Sequence, residues 1–70
     1  MEALVKPTIQ DLQAGGQFVF RLTYQTALGG EQEVMLYRWR GNFWRLAGGF
    51  VEGATTQDLA RLRKAQGKTV

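Results

Sequence analysis

The sequence contains no cysteine, no histidine and no serine, and it has a single proline among its 70 residues. The lack of cysteine excludes disulfide bonds and thiolate metal sites, so neither can stabilise this small chain. The lack of histidine removes the imidazole metal ligand and the histidine general base. Without serine or cysteine, two common nucleophiles of covalent catalysis are also missing.

The six acidic residues are scattered along the chain rather than clustered: Glu2, Asp11, Glu31, Glu33, Glu52 and Asp58. General acid–base catalysis needs groups that converge on a substrate, and this spacing does not predict such a pair. The three glycine pairs lack the spacing and the Lys-Ser/Thr of a phosphate-binding loop. We therefore predict a protein that is not an enzyme and that has no metal and no cofactor.

Long hydrophobic runs are absent as well. No apolar stretch approaches the roughly 20 residues that span a bilayer, and the start MEALVKPTIQ does not resemble a signal peptide. This favours a cytoplasmic protein without a membrane partner. The length predicts one small domain over residues 1–70, in which residues 1–7 are a lead-in.

The charge that is present is mostly positive. Nine Lys and Arg residues oppose six Asp and Glu residues, which gives a net charge of +3 and a pI near 9.8. A moderately basic chain is attracted to polyanions, although many basic proteins have no such partner.

Most of the aromatic residues fall in residues 17–50, which we interpret as a three-stranded antiparallel β-meander. The predicted strands are Gln17–Thr26, Glu33–Arg40 and Phe43–Phe50. The dipeptides Gly29-Gly30 and Gly41-Asn42 are typical of two-residue hairpin turns, although the first loop has an alternative of four or five residues. Gly48-Gly49 is interpreted as a bulge or bend that ends the pairing.

Helix-start signals flank the meander. Thr8 followed by Asp11 predicts a short helical turn over Thr8–Ala14; the alternative is an edge strand over residues 3–9. Thr55 predicts the start of a C-terminal helix over residues 55–66, with Leu59 and Leu62 on its inward face. The predicted fold is therefore α+β, with the C-terminal helix packed on one face of the sheet, its aromatic face.

The two predicted turns place the residues of the strands on two faces with different chemistry. One face is apolar and holds Phe18, Phe20, Leu22, Tyr24, Met35, Tyr37, Trp39, Trp44 and Leu46. The other holds Val19, Arg21, Thr23, Leu36, Arg38, Arg40, Phe43 and Arg45. In this register Arg21, Arg38 and Arg45 are direct cross-strand neighbours, and like charges in such positions destabilise a sheet.

An arginine cluster of this kind favours an anionic partner. The leading hypothesis is DNA or RNA binding through Arg21, Arg38, Arg40 and Arg45, with Phe43 available for base stacking. The alternative is an adaptor that docks on an acidic protein surface, or a homodimer paired through a sheet edge. A third interpretation is a solvated face that prevents edge-to-edge pairing. In architecture alone, the predicted fold is similar to three-stranded-sheet-plus-helix DNA-binding modules, whose motifs this chain does not share.

Overall fold

The computed structural model describes residues 5–67, which form an antiparallel sheet of four strands and two helices. The elements are α1 (Ile9–Gly15), β1 (Gln17–Gln25), β2 (Glu31–Trp39), β3 (Asn42–Ala47), β4 (Phe50–Gly53) and α2 (Thr56–Gln66). The strands lie in the order β1-β2-β3-β4. The predicted α+β class is confirmed, whereas the prediction of three strands is wrong. Residues 5–8 belong to no strand, and the rest of the alternative edge strand, residues 3 and 4, lies outside the described residues.

The additional strand, β4, follows from the conformation of Gly48 and Gly49. Their φ angles are +58° and +81°, the left-handed values that a type I′ hairpin turn requires at both central positions. This turn returns the chain beside β3, so that Ala47 lies opposite Phe50 and Leu46 opposite Val51. The glycine pair therefore extends the sheet, and its interpretation as a bulge or bend that ends the pairing is wrong.

The first hairpin has a longer loop than the two-residue turn that we predicted at Gly29-Gly30. Thr26 donates its backbone N–H to the carbonyl of Gly30 at 2.8 Å, which leaves a three-residue loop that ends at Gly29, with φ of +89°. Compared with the predicted two-residue turn, this loop shifts the register by an odd number of residues, which puts the side chains of β1 on the opposite faces of the sheet. Leu22 consequently lies opposite Val34, and Arg21 lies opposite Met35 rather than Arg38.

A β-bulge near the start of β1 reverses the register a second time. The pairing shifts between Phe18 and Phe20, so that the extra residue is Val19. Phe18 therefore lies opposite Tyr37, and the two rings make an edge-to-face contact with centroids 5.6 Å apart. Only the segment from Phe20 to Gln25 has exchanged faces relative to the prediction.

The second hairpin keeps the predicted faces, although its turn is displaced by one residue. Arg40 and Gly41, with φ of +51° and +81°, form the turn that we predicted at Gly41-Asn42. This displacement moves each cross-strand partner by two residues, which preserves the side of the sheet. Tyr37 therefore lies opposite Trp44 and not Leu46.

Each face of the sheet packs against a different helix. Leu12 of α1 contacts Trp44, Leu46 and Val51 on one face, with Met35, Tyr37 and Trp39 around them. On the other face, Leu62 of α2 packs with Leu22, Val34 and Leu36. The C-terminal helix therefore covers the face that we predicted to be exposed and arginine-rich, because the reversal of β1 gives that face an apolar centre.

Both helices begin with the predicted threonine caps. The Thr8 and Thr55 hydroxyls accept hydrogen bonds from the backbone of Asp11 and Asp58, and each aspartate bonds back to the cap residue. Such capping boxes satisfy N–H groups that the helix itself leaves free. At its other end, α2 stops at Gly67 as predicted. Of the described helices, neither has the length and apolar character needed to cross a membrane.

Candidate nucleic-acid interface

The five residues proposed to bind nucleic acid do not form one surface. Arg38 and Phe43 are direct cross-strand neighbours on the α2 side, and Arg45 lies one step along the same side of β3. Arg40 occupies the turn that joins β2 to β3. Arg21 lies on the opposite side of the sheet, so the predicted row of Arg21, Arg38 and Arg45 does not exist.

Arg45 is engaged within the fold. Its Nε lies 2.8 Å from an oxygen of Asp58, in an orientation that makes an ion pair but not an aligned hydrogen bond. Glu52 lies opposite Arg45 on β4, so the arginine-bearing face also carries acidic residues. Arg45 therefore has an ion-pair partner from α2, and Glu52 of β4 adds a second negative charge opposite it.

Asp58 is the centre of the polar contacts under α2. Its side chain is completely buried, and one oxygen accepts a 2.5 Å hydrogen bond from the hydroxyl of Tyr24. The other oxygen accepts the backbone N–H of Thr55 at 3.0 Å and faces Arg45. The carboxylate thus joins the start of α2 to β1 and β3 at once.

These contacts set the protonation of both partners. Burial raises the pKa of Asp58, but the hydrogen bonds from Tyr24 and Thr55 and the charge of Arg45 outweigh it, and the pKa lies below its ordinary value of 3.8. Burial and the hydrogen bond to Asp58 raise the pKa of Tyr24 above its ordinary value of 10.0. A charged Asp58 and a neutral Tyr24 are therefore the forms that the fold prefers.

This arrangement predicts a stability that falls at both extremes of pH. The contribution of Asp58 is complete above its unfolded pKa and is lost as pH falls through the lowered folded pKa. The contribution of Tyr24 is complete below pH 10 and is lost as pH rises through the raised folded pKa. Urea unfolding across pH measures this dependence. The free energy of unfolding of Asp58→Asn should not show the wild-type decrease at acidic pH, and that of Tyr24→Phe should not show the wild-type decrease at alkaline pH. Variant and wild-type curves that run parallel would contradict this assignment.

The end of the β2–β3 hairpin presents two arginines that have remained exposed. The guanidinium of Arg38 lies 5.7 Å from the ring centroid of Phe43, and that of Arg40 lies 4.5 Å from the ring of Trp39. Within residues 5–67, neither arginine has an acidic side chain at ion-pairing distance. We call this region, consisting of Arg38, Trp39, Arg40 and Phe43, the hairpin end. Arg38 and Phe43 lie on the α2 side of the sheet, whereas Trp39, which Arg40 contacts, lies on the α1 side.

The backbone of Arg40 is held in an unusual conformation. A φ of +51° places this residue in the left-handed region, which costs a non-glycine residue about 1–2 kcal/mol. The contact with Trp39, which itself makes an edge-to-face contact with Trp44 at 6.3 Å, fixes the side chain above the ring. Strained residues of this kind are frequent at binding sites.

A second basic surface runs along the outer side of β1 and lies outside the predicted site residues. Arg61 and Lys64 of α2 line a groove with Arg21, Thr23 and their neighbours on β1. Arg61 lies over the ring of Tyr24 at 4.6 Å from its centroid. The available signal was the three-residue spacing of Arg61 and Lys64, which places both on one side of a helix.

Comparison with protein-family models, with curated proteins and with solved structures finds no match to this chain. Among the described residues, no group of three acidic side chains is arranged to hold a metal ion. The two basic surfaces, the hairpin end and the groove beside β1, are therefore the features on which a functional argument rests.

Proposed function

We propose that this protein is a small non-enzymatic nucleic-acid-binding module that contacts its ligand through the hairpin end. The observation that carries the proposal is the pair of exposed guanidinium groups, Arg38 and Arg40, that each lie over an aromatic ring. A guanidinium in a cation–π contact with a ring keeps N–H groups free, and phosphate oxygens can accept them in pairs.

The chemistry of the hairpin end favours single-stranded over double-stranded ligands. Proteins that bind single strands combine cationic contacts to the backbone with aromatic rings on which bases stack. Trp39 and Phe43 are half-buried, so part of each ring remains accessible beside its arginine. Both faces of the sheet carry a helix, and this excludes the docking mode in which an open sheet face enters the major groove.

Two residues leave the proposed interface in this interpretation. Arg45 is paired with the buried Asp58 and contributes to the fold. Arg21 lies on the other side of the sheet, away from Arg38. The proposed contacts are therefore made by Arg38, Arg40 and the exposed part of Phe43.

The double variant Arg38→Gln/Arg40→Gln is expected to weaken binding to single strands about tenfold at low salt. Fluorescence anisotropy with labelled DNA and RNA oligonucleotides of about 20 nucleotides, at about 50 and 200 mM salt, measures this change. If both arginines neutralise phosphates, the slope of log K against log salt should fall by about 1.4. A duplex of the same length, included in parallel, tests the preference for single strands.

The matched control is Lys6→Gln/Arg63→Gln, which removes the same charge from exposed positions outside the hairpin end. It should keep most of the wild-type affinity. Equal losses in the two double variants would show that only net charge matters, and this would contradict a site at the hairpin end. No binding to any oligonucleotide at low salt would retire the nucleic-acid function altogether.

A further inference from the structure

The outer edge of β1 has backbone groups that no other described strand uses. β1 lies at one side of the sheet, and its hydrogen-bonded pairing with β2 is closed by Thr26 and Gly30. In antiparallel sheets, hydrogen-bonded and non-hydrogen-bonded pairs alternate along the strand. Counting from Thr26, Arg21, Thr23 and Gln25 occupy the non-hydrogen-bonded positions. These three residues therefore direct their N–H and C=O groups away from β2.

The groove beside this edge is basic. Arg61 and Lys64 of α2 line the groove on the α2 side of the sheet. Arg21 also lines it, although its position in β1 faces the α1 side of the sheet. Among the described residues, those that line the groove include no acidic side chain. Among residues 5–67, none of these three cations has an acidic partner at ion-pairing distance.

We propose that the outer edge of β1 binds an acidic peptide segment of another protein as an added strand. The outward groups of Arg21, Thr23 and Gln25 would pair with the peptide backbone. Arg61 and Lys64 are about 4.5 Å apart along the helix axis, and alternate residues of a strand are about 6.6 Å apart. Long flexible side chains bridge this small difference, so acidic residues at alternate peptide positions can reach both cations.

Two other occupants fit this edge less well. A second copy of the chain paired through β1 would bring two basic grooves together, and each chain has a net charge of +3. The phosphates of a nucleic acid accept hydrogen bonds but do not donate them, so they would leave the outward carbonyls of β1 unpaired. A peptide supplies both donors and acceptors as well as negative charge.

The test is a titration of the full ¹⁵N-labelled chain with a peptide of about ten residues that alternates Glu with Thr and Val. We expect binding in the micromolar range, with the largest shifts at the amides of Arg21, Thr23 and Gln25. A peptide methylated on alternate backbone nitrogens lacks the N–H donors on one edge of its strand and should not cause these shifts. A second control peptide, with Lys in place of Glu, should not cause them either. Equal binding by the N-methylated peptide would overturn the proposal, and so would shifts that are largest outside β1 and the part of α2 that lines the groove.

Variants separate the charge of the groove from the charge of the whole protein. Arg61→Gln/Lys64→Gln should lower the affinity for the peptide about fivefold, whereas the control Lys6→Gln/Arg63→Gln should leave this affinity almost unchanged. Arg38→Gln/Arg40→Gln should also leave it unchanged, so failure at this edge is distinguishable from failure at the hairpin end. Concentration-dependent dimerisation through β1, or an oligonucleotide that shifts the same three amides, would assign the edge to a different occupant and overturn the proposal.

Discussion

Replacing Asp58 with alanine is expected to lower the free energy of unfolding by about 3 kcal/mol. Natural domains have about 0.05–0.15 kcal/mol of stability per residue, which corresponds to roughly 4–10 kcal/mol for 70 residues. The variant should therefore lose between about a third and three quarters of this stability. Urea denaturation, followed by far-UV circular dichroism, measures the change.

The size of this effect follows from what the alanine would leave behind. Asp58 is fully buried; it accepts hydrogen bonds from Tyr24 and Thr55 and forms an ion pair with Arg45. Its removal leaves the Tyr24 hydroxyl without its acceptor and Arg45 without its ion-pair partner, and a partly buried charge that is no longer compensated is costly. The side chain of Arg45 is 23% exposed and regains some contact with water, which keeps the expected loss at the lower end of the range for buried pairs.

Asp11 provides a matched control for Asp58. It occupies the same capping-box position in α1, but it is exposed, and within residues 5–67 its side chain accepts a hydrogen bond only from its cap residue Thr8. Asp11→Ala should therefore cost only about 1 kcal/mol, the ordinary value of a helix cap. The difference between the two variants isolates the contacts of Asp58 with Tyr24 and Arg45. Equal losses would show that Asp58 does no more than cap α2.

Replacing Leu12 with alanine is expected to cost about 3 kcal/mol as well, because the side chain is fully buried against Trp44, Leu46 and Val51. Helix α1 has seven residues, too few to be stable in isolation, so its docking depends on this leucine. Loss of α1 would expose Trp44, which is only 4% accessible in the native fold. Urea unfolding measures the free energy, and a red shift of tryptophan emission reports the exposure.

Leu28→Ala is the matched control for Leu12→Ala, because it makes the same substitution at a leucine that is not buried. It lies in the first hairpin loop and is 99% exposed, so Leu28→Ala should change stability by less than about 0.5 kcal/mol. If Leu12→Ala were equally mild, α1 would not be part of the core, and the face of Trp44 would be open to solvent. The pair therefore tests whether both sides of the sheet are covered.

Much of the candidate site was accessible from local sequence signals. Arg38, Arg40 and Phe43 were predicted on one side of the second hairpin, and the structure brings Arg38 and Phe43 opposite one another. The contact of Arg40 with Trp39 was not predicted, because it depends on the left-handed backbone at Arg40. The ion pair of Arg45 was not predictable either, since Asp58 is 13 residues away in the sequence and reaches it only through the packing of α2.

The sequence by itself determined the features that depend on neighbouring residues. The capping boxes at Thr8 and Thr55 need only a hydroxyl and a carboxylate three residues apart, and both threonines cap the helices as predicted. The apolar side of the second hairpin, with Tyr37 and Trp44, also followed from the period of two along each strand.

Only the tertiary structure decided how these elements face one another. Relative to a two-residue turn at Gly29-Gly30, the three-residue loop that ends at Gly29 shifts the register of β1 by three residues, and the bulge at Val19 shifts it by one more. A shift by any odd number of residues is enough to reverse the faces of a strand. Loops of two and three residues are both compatible with the same glycine pair, so the local sequence does not choose between them. The observed register buries Leu22 against Val34 and Leu62, and the burial of a leucine side chain contributes about 1.5–3 kcal/mol. That burial selected the register, placed α2 over the arginine-bearing face, and left the basic groove beside β1.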